Sequence, residues 1–196
     1  RYTAAGARDR AFTPIRVIPR VGCTETVDAT RGIARQRLRR AGRIKFVEDV
    51  TTPMQTTAQN MIFINSRERR TGNFVFGFSE DGRTCLLAIA VSRGGIGDID
   101  VKTIDGTNYL FMAGAMGRRG GIFKSCNLNT MQCREQQFMD RNHISARFGG
   151  FSVNNDASMI YFSHHGESGD LVGYSLTSVG GAFELGNETR RCSAVN

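Results

Sequence analysis

The residues of this 196-residue chain best suited to chemistry are three His, five Cys and a few paired acids. His164-His165-Gly-Glu167, with Asp170 close by, gathers imidazole and carboxylate donors in one stretch. It falls in a loop between β-prone runs and has no further donor at metal-ligand spacing, so a solvated loop accounts for it. Ser163 beside His164 is not a triad, because a nucleophile and base must meet an orienting acid in space and nothing marks one. Asp98 and Asp100 stand at i, i+2 and share one strand face. Such a pair can hold a cation or flank a glycosidic bond, but turn and solvent-face chemistry is the simpler account. No convincing helix follows Gly94-Gly95, Gly120-Gly121 or Gly180-Gly181, which removes phosphate-loop and dinucleotide readings. No catalytic residue, metal or cofactor is assigned, and an enzyme is the least supported class.

Cys126 and Cys133 flank Asn-Leu-Asn-Thr-Met-Gln, a spacing that bridges the two strands of a hairpin. Cys23 and Cys192 lie near opposite ends of the chain, and pairing them would fasten the termini of a circular repeat fold. Cys85, inside an apolar run, is then the odd, buried thiol. Four cysteines allow three connectivities, so this is one choice among them. Disulfides imply an oxidising compartment, which tips localisation toward secreted or extracellular over reduced and intracellular. Asn187-Glu-Thr189 is a glycosylation sequon, a tripeptide that also arises by chance.

The formal charge of +8 is unevenly placed. Residues 1–45 hold eleven Arg and Lys45 against Asp9, Glu25 and Asp28, a balance of +9, and the remainder is close to neutral. The densest run contains Arg31, Arg35, Arg37, Arg39, Arg40 and Arg43, and helical spacing over 31–41 puts Ala34, Leu38 and Ala41 on one face. These arginines are candidate contacts for an anionic partner: nucleic acid, an acidic protein or an anionic membrane surface. A solvated helix whose guanidinium groups pair with acids elsewhere is the plainer alternative. No aromatic residue interleaves with them, so base stacking is not indicated. No apolar run approaches the ~20 residues of a transmembrane helix, and none is expected.

The elements that must position these residues read as β-strands. A strand is predicted over 43–50, and after residue 58 short β-prone runs alternate with Gly-rich or Asp-Gly turns. The apolar cores Met61-Ile-Phe-Ile64, Cys85-Leu-Leu-Ala88 and Tyr109-Leu-Phe-Met112 begin 24 residues apart, and Met159-Ile-Tyr-Phe162 follows after 50. Each leads through a polar loop into a second β-prone run: 73–76, 98–101, 122–125 and 170–174. The pattern predicts a series of two-stranded hairpins that must stack or pair to bury both faces. Asn127 to about Gly150 is an insertion long enough for two further strands. The expected fold class is all-β, built of repeated antiparallel hairpins and propeller-like, with a basic extension over 1–57, a repeat body over 58–186 and a tail over 187–196.

Phe78-Ser-Glu-Asp-Gly-Arg-Thr84, the run Leu86–Ile89 and Ser92-Arg-Gly-Gly-Ile-Gly-Asp-Ile-Asp-Val101 together resemble the WD40-like (PD40-type) repeat of TolB-like β-propellers. Phe151-Ser-Val-Asn-Asn-Asp156 with Ile160–Leu171 is a looser copy, and Asp105–Met112 with Gly120–Phe123 a third without the Phe-Ser start. Glu80 replaces the usual Pro, and Asn154-Asn155 stands for the Asp-Gly pair. A similarity of Ser79–Thr84 to the sialidase Asp-box is set aside, because that motif is one residue longer and ends in an aromatic. About three blades of chain carry the resemblance, which implies a propeller-like body that is partial or completed by other chain segments. The function it implies is a non-catalytic binding or scaffolding module that presents loops to a protein or glycan partner. The alternative is a structural subunit of a ribonucleoprotein or shell, anchored by the Arg-rich segment and assembled as a homo- or hetero-oligomer.

Overall fold

A computed structural model describes residues 23–27, 41–66, 73–91, 95–115, 120–138, 148–164 and 171–192. These residues form thirteen strands and no helix. β1 (Glu25–Val27), β2 (Ala41–Val50), β3 (Gln59–Ser66), β4 (Asn73–Ser79) and β5 (Cys85–Val91) make the first sheet, in the order β1-β5-β4-β3-β2. β6 (Gly95–Ile104), β7 (Thr107–Ala115), β8 (Gly121–Asn127) and β9 (Cys133–Phe138) make the second. β10 (Phe148–Val153), β11 (Met159–His164), β12 (Leu171–Val179) and β13 (Ala182–Cys192) make the third. β2–β5, β6–β9 and β10–β13 are each a four-stranded antiparallel meander in chain order, and β1 adds to β5 in parallel.

Period-2 alternation explains how the sheets stack. Met61 and Phe63 of β3 share a core with Leu110 and Met112 of β7. Phe111 and Ala113 of β7 share the next core with Ile160 and Phe162 of β11. The middle sheet is therefore buried on both faces, and all of β8 is inaccessible. Its two faces are built differently. One is aliphatic, whereas Phe111, Phe123, Phe138, Phe162, Tyr174 and Phe183 crowd the other. Tyr109 meets Phe183 edge-on at 4.9 Å, and Phe138 lies 5.4 Å from Phe162.

Tight turns follow from residues that accept positive φ. Asp105-Gly106 (φ 50° and 75°) and Gly180-Gly181 (φ 57° and 80°) join β6 to β7 and β12 to β13 as two-residue turns, both residues left-handed.

The 24-residue period turns out to mark half a sheet, and the sheet itself repeats from Met61 to Tyr109 to Met159. Three of the four expected hairpins pair as such: β3–β4, β7–β8 and β11–β12. The second does not. Cys85–Val91 pairs with β4, whereas Gly95–Ile104 pairs with β7 and opens the next sheet. Val91 and Ile96 meet in one core, so these two runs stack rather than hydrogen-bond. The predicted strand at 43–50 is present and belongs to the first sheet, where β2 begins at Ala41, and β13 extends the third sheet to Cys192.

Candidate functional site: a charged ladder between the first strands

β2, β6 and β10 are the opening strands of the three meanders, and two acids on β6 tie them side by side. Asp98 accepts from the backbone N–H of Ile99 at 2.9 Å through Oδ1, and from that of Phe151 on β10 at 3.2 Å through Oδ2. Arg43 Nε of β2 lies 3.4 Å from Asp98 Oδ1. Two residues on, Asp100 Oδ1 accepts from Lys45 Nζ and the Val101 N–H, each at 3.1 Å, and Oδ2 from the Val153 N–H at 3.3 Å. Lys102 Nζ stands 3.9 Å from Asp100 Oδ2. Residue numbers rise together along all three strands (43 and 45, 98 and 100, 151 and 153), so the strands run parallel across sheet boundaries.

This changes the chemistry open to the acid pair. Asp98 and Asp100 are 7% and 6% exposed, so they are neither turn residues nor a solvent face. Each oxygen already accepts an N–H or faces a cation, so most of their lone pairs are taken up within the protein. Their work is to join sheets. At Gly150 a Cβ would sit 2.8 Å from Asp98 Oδ2, so the bare backbone lets β10 come close enough to be gripped. Asn65 of β3 reinforces the junction, accepting from the Arg43 N–H and donating to the Ile96 carbonyl.

Side chains also replace strand pairing between the second and third sheets. Ser125 Oγ accepts from the Phe183 N–H at 2.6 Å and donates to the Phe183 carbonyl at 2.8 Å. The Gln136 carboxamide does the same for Leu185, at 2.9 and 3.1 Å. Arg134 of β9 adds an ion pair to Glu184. Between the first and second sheets the fully buried Lys124 donates to the Ala90 carbonyl at 2.7 Å and faces Glu135 at 3.5 Å. The contacts between sheets have no local sequence signal, because their partners lie roughly 34 to 58 residues apart in the chain.

Of the candidate anion contacts, Arg43 pairs with Asp98 while its side chain stays 59% exposed. Arg31, Arg35, Arg37, Arg39 and Arg40, and with them most of the expected helix, lie outside the described residues, as do His143, His165, Glu167 and Asp170. Among the described residues no group of three or more His, Cys, Asp and Glu could hold a metal ion. No helix among them is long and apolar enough to cross a membrane.

Cys126 and Cys133 are bonded across the β8–β9 hairpin, where they are register partners. The pairing of Cys23 with Cys192 is overturned. Cys23 is bonded to Cys85, since β1 runs alongside β5 and the Thr24 N–H binds the Cys85 carbonyl, which brings the two sulfurs together. Cys85 is thus no odd thiol, and Cys192 is free and exposed at the end of β13.

The turns Ser79–Thr84 and Asn154–Met159 are built alike. Each is closed by a backbone N–H to carbonyl bond, Ser79 to Thr84 and Asn154 to Met159. Asp81 accepts from Ser79 Oγ and the Arg83 N–H, and Asp156 from the Ser158 N–H and Oγ. These bonds hold both exposed carboxyls below the usual aspartate value. The left-handed residue after each Asp is Gly82 or Ala157, so the counterpart of Asp81-Gly82 is Asp156-Ala157 rather than Asn154-Asn155.

Comparison with protein families, curated proteins and solved structures finds no match to the chain.

Proposed function

We propose that this chain is a non-catalytic, propeller-like binding or scaffolding module that presents loops to a protein or glycan partner. The observation carrying this is the parallel alignment of β2, β6 and β10 through Asp98 and Asp100. Parallel first strands on neighbouring sheets are what adjacent propeller blades require, and this supports the reading. The acids best placed for glycoside chemistry are occupied in that alignment, which favours binding over turnover. The TolB-like resemblance is best supported in the third sheet, where Phe151–Leu171 runs from β10 into β12 as one repeat should. In the first copy the same motif crosses from one sheet to the next.

The test pairs a glycan-array binding measurement with a glycoside hydrolysis panel, on the wild type and on Asp98→Asn/Asp100→Asn, below the unfolding temperature of both. The expected result is array binding by both and hydrolysis by neither. Hydrolysis by the wild type that disappears in the folded variant overturns the reading.

A second reading, a subunit anchored by its Arg-rich segment, is favoured by where that segment joins the body. It precedes Ala41, so it meets the body at the end where the first strands begin. The described turns at the opposite end carry Glu80, Asp81, Asp105 and Asp156 against Arg83. Under this reading, nucleic-acid binding falls steeply with salt and is lost on replacing Arg31, Arg35, Arg37, Arg39 and Arg40 by Gln, which leaves β1 and the Cys23–Cys85 bond in place.

A further inference from the structure

β13 is an edge strand, and its two halves are treated differently. Over its first half the Ser125 and Gln136 side chains bond Phe183 and Leu185 as a neighbouring strand would. Among the described residues this side-chain clamping falls at Phe183 and Leu185. Leu176 pairs with Leu185 but Tyr174 pairs with Glu188, so Gly186 and Asn187 together oppose Ser175 in a bulge. Ser175 Oγ donates to the Asn187 carbonyl at 3.5 Å, and Gly186 is needed because a Cβ there would lie 2.3 Å from that hydroxyl. Gly186, Asn187, Glu188 and Thr189 are all exposed. The sequon Asn187-Glu-Thr189 therefore falls on an exposed, bulged stretch of the edge strand, beyond the clamped Phe183 and Leu185. Both described disulfides are of the kind an oxidising secretory compartment forms.

We propose that Asn187 is an N-glycan acceptor and that the glycan shields the second half of β13 from edge-to-edge pairing. The donor is a polyprenyl-pyrophosphate-linked oligosaccharide of that compartment. Asn187 Nδ2 forms the bond to the sugar C1, and the C1–O bond to the pyrophosphate breaks. The lipid pyrophosphate leaves with the electron pair, and Nδ2 releases one proton. Thr189 supplies the hydroxyl that the acceptor motif requires. Transfer takes place on the extended chain. In the folded protein the bulge leaves room for the product, while Thr189 Oγ1 turns to the Gly173 carbonyl at 3.4 Å.

The experiment expresses the full chain behind a secretion signal in cultured eukaryotic cells and measures its intact mass without reductant, before and after peptide N-glycosidase. The expected result is a mass loss on treatment, with Asn187 converted to Asp in its peptide. Asn187→Gln and Thr189→Ala abolish the increment and Thr189→Ser retains it. Sedimentation velocity then compares glycosylated with enzymatically deglycosylated protein, and a larger associated fraction is expected without the glycan. Disulfide-bonded protein with a bare Asn187, whether secreted or held in the membrane-enclosed fraction, overturns the acceptor assignment. Equal sedimentation of the two forms overturns the shielding role.

Discussion

Replacing Asp100 by Ala separates the two jobs its carboxylate does. One oxygen pairs with Lys45, whose side chain is 43% exposed and rehydrates when released. The loss of that pair costs under about 1 kcal/mol. The other job is to accept the N–H groups of Val101 and Val153, and the Val153 bond is buried. Two donors left unmade at about 1–3 kcal/mol each put Asp100→Ala at ~3 kcal/mol. Lys45→Ala, by contrast, stays below about 1 kcal/mol. Urea unfolding of the oxidised protein measures both; with a slope of about 2 kcal/mol/M, Asp100→Ala lowers the midpoint by roughly 1.5 M and Lys45→Ala by a third of that or less. Asp100→Asn keeps one acceptor oxygen and falls between them. A Lys45→Ala effect as large as that of Asp100→Ala would refute the assignment of the ladder's strength to its backbone donors, as would an Asp100→Ala effect within about 0.5 kcal/mol of zero.

Three further outcomes follow from the same structure. Asp81 and Asp156 titrate below the ordinary aspartate value because Ser79 with Arg83, and Ser158, bond their charged forms. Depressed folded values mean that their stabilisation is complete above the unfolded value and drains away as pH falls through the folded ones. Carboxyl NMR titration of Ser158→Ala should therefore move Asp156 upward and leave Asp81 in place. Gly114→Ala, whose Cβ would lie 1.6 Å from the Gly95 carbonyl oxygen, should cost at least ~3 kcal/mol, whereas Gly106→Ala, with open space but φ of +75°, costs about 1–2 kcal/mol by thermal unfolding. Cys23–Cys85 spans 62 residues and Cys126–Cys133 spans 7, so loop entropy ranks their loss at about 4 and about 2.5 kcal/mol, which unfolding of Cys23→Ser and Cys133→Ser compares.

What the residues disclosed, and what they withheld, divides by range. Alternation within Met61–Ile64 or Tyr109–Met112 is local, so all-β structure and hairpins were legible. The Cys126–Cys133 bond was legible for the same reason, being closed within one hairpin. The 24-residue period was real, yet it could not say which hairpins share a sheet, because Val91 and Ile96 look alike whether paired or stacked. The ladder was out of reach. Asp98 and Asp100 owe their role to Arg43 and Lys45 on one side and to backbone N–H groups at 151 and 153 on the other, both over fifty residues away. The Cys23–Cys192 pairing failed because it assumed the ends of the chain must meet. A short parallel strand instead laid Cys23 beside Cys85.

That parallel strand also sets a timetable. As the chain is made from its amino end, Cys23 emerges long before its partner and must wait until the whole first meander has appeared. Cys126 can close with Cys133 almost as soon as the β8–β9 hairpin turns. Both partners of Cys23–Cys85 are nonetheless made before Cys126, so this cystine can still close first; an oxidant acting before Cys85 appears meets an unpaired Cys23 with no correct neighbour in reach.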